Sequence, residues 1–294
     1  MKRCLLCENI FDGDMWTCSA CGNSPEMQER WLCFSPEYAE ENDGFDVREF
    51  RAYAELEWKN FWFVSRARLL IHFIKKFFPR TRDFLEVGCG TGFILSAAEK
   101  ALPNATLSGS DIYLESLNFT DLRLQGKATL YQMEACAIPF RQAFDVVGAF
   151  DVLEHIDDDK KALKELCATV RSGGGLVLTV PQHAFLWSAW DGMNRHKRRY
   201  AVWELEKMVE NEGFKILCST SFASLLMPLF IARRMAERHK TEMSFADGAR
   251  INPLVNLVCA AVMVLERGLI YSGLRLPFGG SSLVIARKPG ELTA

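Results

Sequence analysis

From residue 81 onward, short apolar runs alternate with stretches whose apolar positions recur every three or four residues. The runs Phe84–Val87, Thr106–Ser110, Ala128–Gln132, Phe144–Ala149, Gly175–Pro181, Lys215–Ser219 and Ser282–Ala286 predict strands. The spacing predicts helices over Phe93–Leu102, Asp157–Val170 and Ala201–Glu212. Strictly alternating elements of this kind imply an α/β fold with a doubly wound parallel sheet and helices on both faces. Ahead of them, Trp58, Phe61, Trp62 and Phe63 crowd together. Leu69, Leu70, Phe73, Ile74 and Phe77 then follow helical spacing up to the stop at Pro79. Between the sixth and seventh strand candidates lies a long insertion, Phe222–Gly280. Its segments Leu225–Ile231 and Val255–Leu265, the latter continued by Leu269, Ile270 and Tyr271, predict two helices with apolar faces. A cationic stretch, Arg233–Lys240, separates them.

A chain of 294 residues with 49% apolar and 24% charged positions accommodates one large globular domain and an accessory module. The net charge of −2 argues against a protein that grips nucleic acid with its whole surface. The longest charge-free run, Ser172–Trp190, holds three glycines and a proline and reads as strand plus loop. Ile216–Ala232 and Ile251–Leu265 fall short of the roughly 20 apolar residues that span a bilayer. The N-terminus opens on Cys4 and Cys7 and not on an apolar signal segment. The expectation is a cytoplasmic chain, at most peripheral to the inner face of a membrane. In a reducing compartment the ten cysteines are not disulfides. Cys4-x-x-Cys7 and Cys18-x-x-Cys21 have the spacing of two thiolate knuckles around one tetrahedral zinc, a ribbon within residues 1–40. Such a ribbon serves as a structural staple or as a docking module. The other six cysteines occupy mostly apolar stretches and read as core packing.

Residues 83–92, Asp-Phe-Leu-Glu-Val-Gly-Cys-Gly-Thr-Gly, end a strand in Glu86 and turn into a helix through Gly88, Gly90 and Gly92. Glycines at such a turn take up backbone angles closed to other residues and let a ligand approach the main chain. Asp111 ends the second strand, 19 residues after Gly92, where a carboxylate can accept both hydroxyls of a ribose. The loop E-x-G-x-G-x-G resembles the first motif of class I S-adenosylmethionine (SAM)-dependent methyltransferases, and the resemblance extends over roughly residues 58–288. It implies a seven-stranded sheet with the last strand antiparallel between the fifth and sixth. It implies further that Glu86 supports the loop, that Gly88, Gly90 and Gly92 receive the methionine part of SAM, and that Asp111 takes the ribose. Glu134-Ala135, before Ile138-Pro139-Phe140, stands where the family has Asp-Ala beside the adenine. Phe150-Asp151-Val152-Leu153-Glu154-His155 matches the fourth motif and completes the cofactor set with Phe150 and Asp151. The division that follows is a ribbon and leader at 1–40, a helical cap at 41–80, a cofactor core at 81–222, the insertion at 223–280, and a last strand and tail at 281–294.

SAM carries the difficult step, so the protein must align an acceptor, exclude water and take a proton from a hydroxyl or amine. His155, beyond the fourth strand, is the leading base; helix capping or packing is its bland alternative. Asp151-x-x-Glu154-His155 also resembles the arrangement with which some quinone O-methyltransferases hold a divalent metal. The loop Gln182-His183, Trp187, Trp190-Asp191, Asn194 and His196-Lys197-Arg198-Arg199-Tyr200 resembles that of bacterial methyltransferases of glycan or lipid-linked biosynthesis. His183, His196 and Tyr200 are its catalytic candidates, and its indoles and arginines suit a sugar ring beside an anion. The reading is a SAM-dependent methyltransferase of a small-molecule, glycan or lipid-linked acceptor, at oxygen. The alternatives are a zinc-ribbon RNA methyltransferase, which the acidic balance disfavours, or a non-catalytic SAM-binding scaffold. The insertion 223–280 suits a lid or homodimer interface, or else contact with an anionic membrane or a long apolar substrate tail.

Overall fold

The computed structural model describes residues 1–39, 49–236 and 251–290. The strands are β1 (Lys2–Arg3), β2 (Ile10–Phe11), β3 (Glu26–Gln28), β4 (Trp31–Cys33), β5 (Asp83–Val87), β6 (Thr106–Asp111), β7 (Ala128–Gln132), β8 (Phe144–Phe150), β9 (Val170–Pro181), β10 (Lys215–Phe222) and β11 (Ser281–Arg287). The helices are α1 (Phe50–Leu56), α2 (Phe61–Phe77), α3 (Phe93–Ala101), α4 (Leu114–Leu124), α5 (Asp159–Thr169), α6 (Ala189–Met193), α7 (Val202–Asn211), α8 (Met227–Ala236) and α9 (Pro253–Tyr271).

β3 to β11 form one sheet in the order β10-β11-β9-β8-β5-β6-β7-β4-β3. β5 to β9 run parallel, and β11 lies antiparallel between β9 and β10. All seven strand candidates and the antiparallel last strand are therefore present. Both faces of the sheet are buried, as helices on either side require. Along β5, Phe84 turns into a cluster with Leu70, Phe73 and Leu95 from α2 and α3, while its neighbour Leu85 joins Val147, Leu163 and Leu205 under α5 and α7.

Three features depart from the pattern reading. β3 and β4 extend the sheet beyond β7, with Leu32 opposite Tyr131, so part of the leader is built into the core. At three residues each these strands carry too little alternation to stand out. α4 was not predicted, because Ser116 and Thr120 occupy two of its buried positions and blunt the apolar period. α2 starts eight residues before Leu69, at the Asn60 cap, whose side chain accepts from the Trp62 N–H at 2.9 Å. In the insertion, α9 takes in the Val255–Leu265 segment and its continuation through Leu269, Ile270 and Tyr271. By length and composition alone it could cross a membrane, as no other helix among the described residues could. Arg238 and Lys240 of the predicted cationic stretch lie outside the described residues, as do 40–48 of the leader and cap.

The cysteine-rich leader packs on the core through Trp16, whose ring meets Phe34, Tyr131 and Phe140 edge-on. Arg3 adds an ion pair to Glu165 at 2.9 Å, and the Arg3 N–H donates to the Pro139 carbonyl.

Candidate active site

The carboxyl ends of β5 to β9 open into a cleft of about 1180 Å³, roofed by α1 and α2 and by residues of α8 and α9. Glu86, Gly88, Gly90, Asp111, Glu134, Ala135, Phe150 and Asp151 all line it. Gly92 stands one step back as the N-cap of α3. Gly88, Gly90 and Gly92 have φ of +71°, +52° and +72°. A Cβ on Gly88 would stand 2.4 Å from Val152 Cγ2, and one on Gly92 would stand 2.8 Å from Thr120 Cγ2. At Gly90 nothing lies within 4 Å, so this stretch of main chain is bare toward the cleft.

Asp111 fastens the loop. Its Oδ2 accepts from the Gly90 N–H at 2.8 Å and its Oδ1 from the Tyr113 N–H at 3.1 Å. Each carboxylate oxygen retains a second acceptor site for a ribose hydroxyl. Burial pushes the Asp111 carboxyl above its ordinary value despite these bonds, and pushes Glu86, whose Oε2 has no protein partner, well above. A cationic ligand in the cleft would offset that cost.

The roof contributes residues that no spacing in the sequence flags. Arg66 of α2 pairs with Asp151, which also accepts from Thr179 Oγ1 at 3.0 Å. Asp151 is thus held at φ +59° by two partners. Glu57, just past α1, accepts from Thr91 Oγ1 at 2.6 Å and pairs with Arg123 at 2.8 Å, which ties the roof to the glycine loop. These contacts cross between elements distant in the chain.

On the acceptor side the candidates separate. His155 lines the cleft and is partly buried. Burial, assisted by the nearby His196 ring 4.8 Å away, drives its imidazole down to about 3. It is therefore neutral near pH 7 and a far weaker base than a ring titrating near neutrality. His196 also lines the cleft, and its Nδ1 faces Asp191 Oδ1 at 3.0 Å. Asp191 is wholly buried and accepts from Arg199 Nε at 2.7 Å. Burial opposes its charge, yet the His196 bond and Arg199 outweigh it and hold the carboxyl at about 2.

Two candidates lie elsewhere. His183 is not among the cleft-lining residues; it packs on Phe185 and Phe278. Tyr200 is buried at the foot of the loop, donating its hydroxyl to Asp159 Oδ2 at 2.7 Å. It secures the start of α5 and does not reach the cleft. The two arginines are engaged as well: Arg198 pairs with Asp159, and Arg199 with Asp191. Of the loop's indoles, Trp190 lines the cleft and Trp187 does not.

Glu154 is fully buried at the cleft, and neither carboxylate oxygen has a protein partner. Ligand atoms of Glu154, His155 and His196 lie within 4.8 Å of one another. Asp151 does not join this group, being taken by Arg66 and Thr179. At the N-terminus the sulfurs of Cys4, Cys7, Cys18 and Cys21 likewise lie within 4.8 Å, with Cys4–Cys21 and Cys7–Cys18 separations of 3.6 Å.

Residues 62–219, more than half of the chain, match the model of a methyltransferase domain family. The chain belongs to that family. Among its relatives, this methyltransferase is similar to the ubiquinone biosynthesis O-methyltransferase of Thiobacillus denitrificans, 29% identical over 185 residues that cover 60% of this chain and 71% of that protein. It is also 29% identical over 141 residues to the mitochondrial ubiquinone biosynthesis O-methyltransferase of Candida albicans. That match covers 45% of this chain and less than half, 43%, of the Candida protein. The Haemonchus contortus phosphoethanolamine N-methyltransferase 2, solved with S-adenosyl-L-methionine, superposes with a TM-score of 0.52 at 16% identity over 76% of this chain and 52% of its own, a likeness of fold.

The fold is that of class I SAM-dependent methyltransferases, and the cleft suits their cofactor. Its bare Gly90 main chain admits the methionine part, and Asp111 can accept from the ribose. The buried carboxyl groups Glu86 and Asp111 would complement a sulfonium cation.

Proposed function

We propose that this methyltransferase methylates a hydroxyl of a small molecule, with His196 as the proton acceptor. One observation carries the reading: the pairing of a cleft-lining His196 with the buried carboxylate Asp191 at 3.0 Å. A hydroxyl oxygen is a poor nucleophile until its proton is taken. A carboxylate bonded to one ring nitrogen fixes the tautomer, so that the other nitrogen faces the acceptor as a base. When bound, SAM supplies an electrophilic methyl carbon. The chain's part is to orient the acceptor against it and to hold the proton. Trp190, Leu229, Phe230 and Val255 give that side of the cleft an apolar wall, which favours an acceptor with a ring or a hydrocarbon body, lipid-linked acceptors included. The relatives named as O-methyltransferases support the choice of oxygen.

The test is transfer of labelled methyl from SAM into hydroxylated small molecules, lipid and glycan extracts, and RNA. Label in an O-methyl product, lost in His196→Gln, supports the reading. Label in RNA, or an amine product, overturns it. A chain that binds SAM and labels none of these fractions is a scaffold.

The unpartnered Glu154 carboxylate favours a second reading, a divalent cation held by Glu154, His155 and His196 in place of base catalysis. One carboxylate and two imidazoles are a workable donor set. Metal analysis separates the two: a second metal per chain, lost in Glu154→Gln, selects the cation.

The first metal is the ribbon's zinc, which we also infer. Two thiolates about 2.3 Å from one tetrahedral zinc stand about 3.8 Å apart, close to the 3.6 Å pairs of the ribbon. One zinc per chain, absent from Cys4→Ser/Cys21→Ser, is the expected result.

A further inference from the structure

α9 is turned inside out for a surface helix. Positions 254, 257, 258, 261, 264 and 265 fall on one stripe at helical spacing and are Leu, Leu, Val, Ala, Val and Leu. All six are exposed, Leu257 at 65% and Leu265 at 61%. The polar side chains point inward instead. Asn256 donates to the Lys59 carbonyl at 2.8 Å and accepts from the Phe61 N–H at 2.9 Å. Glu266 is fully buried and accepts from the N–H groups of Ala223 and Leu225 at 2.5 and 2.8 Å. Tyr271 donates to the Arg68 carbonyl at 3.1 Å. The helix is anchored along its length by its polar side, so it lies on the domain and presents an apolar side outward.

The neighbouring surface is cationic. α2, which α9 packs against, carries the exposed Arg68, Lys75 and Lys76 and no acidic residue, its fourth cation, Arg66, being turned into the cleft toward Asp151. Arg68, Lys75 and Lys76 join Lys100 of α3 in lining a shallow groove of about 650 Å³. Apart from the cleft-facing Arg66 and the buried Arg267, residues 61–77, 227–236 and 253–280 together hold six Lys and Arg against one acidic residue, the buried Glu266, in a chain whose net charge is −2. The acidic excess therefore lies elsewhere.

We propose that the outer face of α2 and α9 docks this methyltransferase on an anionic membrane surface. A helix lying in the interfacial plane with an apolar stripe down and lysines and arginines beside it has the required chemistry. The charge decides between lipid and a second copy, since a two-fold interface through this stripe would set like cationic rims against each other. Leu229 and Val255 line the cleft and are each 45% exposed, so the apolar surface runs on to the cleft mouth, which docking brings against the lipid. The inference stands apart from the choice of acceptor atom.

The test is co-sedimentation of the full chain with phosphatidylcholine vesicles, with and without phosphatidylglycerol, at rising salt. The chain should pellet with the anionic vesicles alone and be released by salt. Lys75→Gln/Lys76→Gln should weaken binding roughly 30-fold, and Leu257→Ser/Leu265→Ser by more than about a hundredfold. SAM affinity should be unchanged in both, which keeps a failure of docking distinct from a failure of the enzyme reading. Absence of binding, or equal binding to neutral vesicles, overturns the proposal. So does resistance to carbonate extraction, which would mean a spanning helix, or a dimer that Leu257→Ser/Leu265→Ser dissociates.

Discussion

The two halves of the cleft satisfy their polar groups to different degrees, Glu86 Oε2 being a buried cofactor-side atom that also lacks a protein partner. At the ends of β5 and β6, Asp111 ties the Gly90 N–H of the glycine loop to the Tyr113 N–H ahead of α4, and Glu57 with Thr91 and Arg123 locks the roof in place. At the ends of β8 and β9, both Glu154 carboxylate oxygens and His155 Nδ1 are buried at the cleft with no protein partner. Buried polar groups left unpaired are costly, and a fold retains them where something else pays. The cofactor half is thus built to be rigid before anything binds. The acceptor half carries unmet hydrogen-bonding capacity that its ligand can use.

That contrast can be broken by substitution. The largest effect should come from the acceptor half: His196→Gln should lower kcat about 10²- to 10⁴-fold and leave calorimetric SAM affinity unchanged. Weakened SAM binding in that variant would show that the halves are not separate. Next, Asp111→Ala removes an acceptor for the ribose and frees two loop amides. SAM affinity should fall more than about tenfold, and an unchanged affinity would refute the ribose placement. Gly88→Ala drives a Cβ into Val152 from a left-handed backbone. It should lower stability in thermal melts by about 1–3 kcal/mol, since the clash is with the branched part of the Val152 side chain. The smallest effect is expected from Tyr200→Phe, about 1–2 kcal/mol of stability from the lost bond to Asp159, with kcat unaffected. A collapse of kcat in that variant would restore Tyr200 to the chemistry.

How much of this could be read in advance follows the same division. The cofactor half rests on constraints within a few residues of one another. A Cβ would collide at 88 and 92, the left-handed backbone at 90 favours glycine, and Asp111 must follow a strand, so the sequence displays them. The acceptor half depends on side chains that meet through packing. His183, His196 and Tyr200 share one loop and look equivalent in sequence, yet only His196 lines the cleft, because the buried Asp191 turns its ring while Asp159 takes Tyr200. His155 stands where a base belongs, but burial, which no spacing reveals, strips it of basicity. Arg66 and Glu57 sit in helices whose placement over the sheet is a tertiary fact. α9 shows the limit from the other side. Its apolar content was plain, while the direction of its stripe depended on Asn256 and Glu266 finding partners inside.

The short strands β3 and β4 have a consequence of their own. Without them β7 would end the sheet as a bare five-residue edge, able to recruit the same edge of another molecule. The cysteine-rich leader that delivers this cover is clamped to the core at Trp16. Chelation of the zinc inferred for that leader should therefore lead first to edge-to-edge aggregation, with the glycine loop and its ligand affinity still intact in whatever stays in solution.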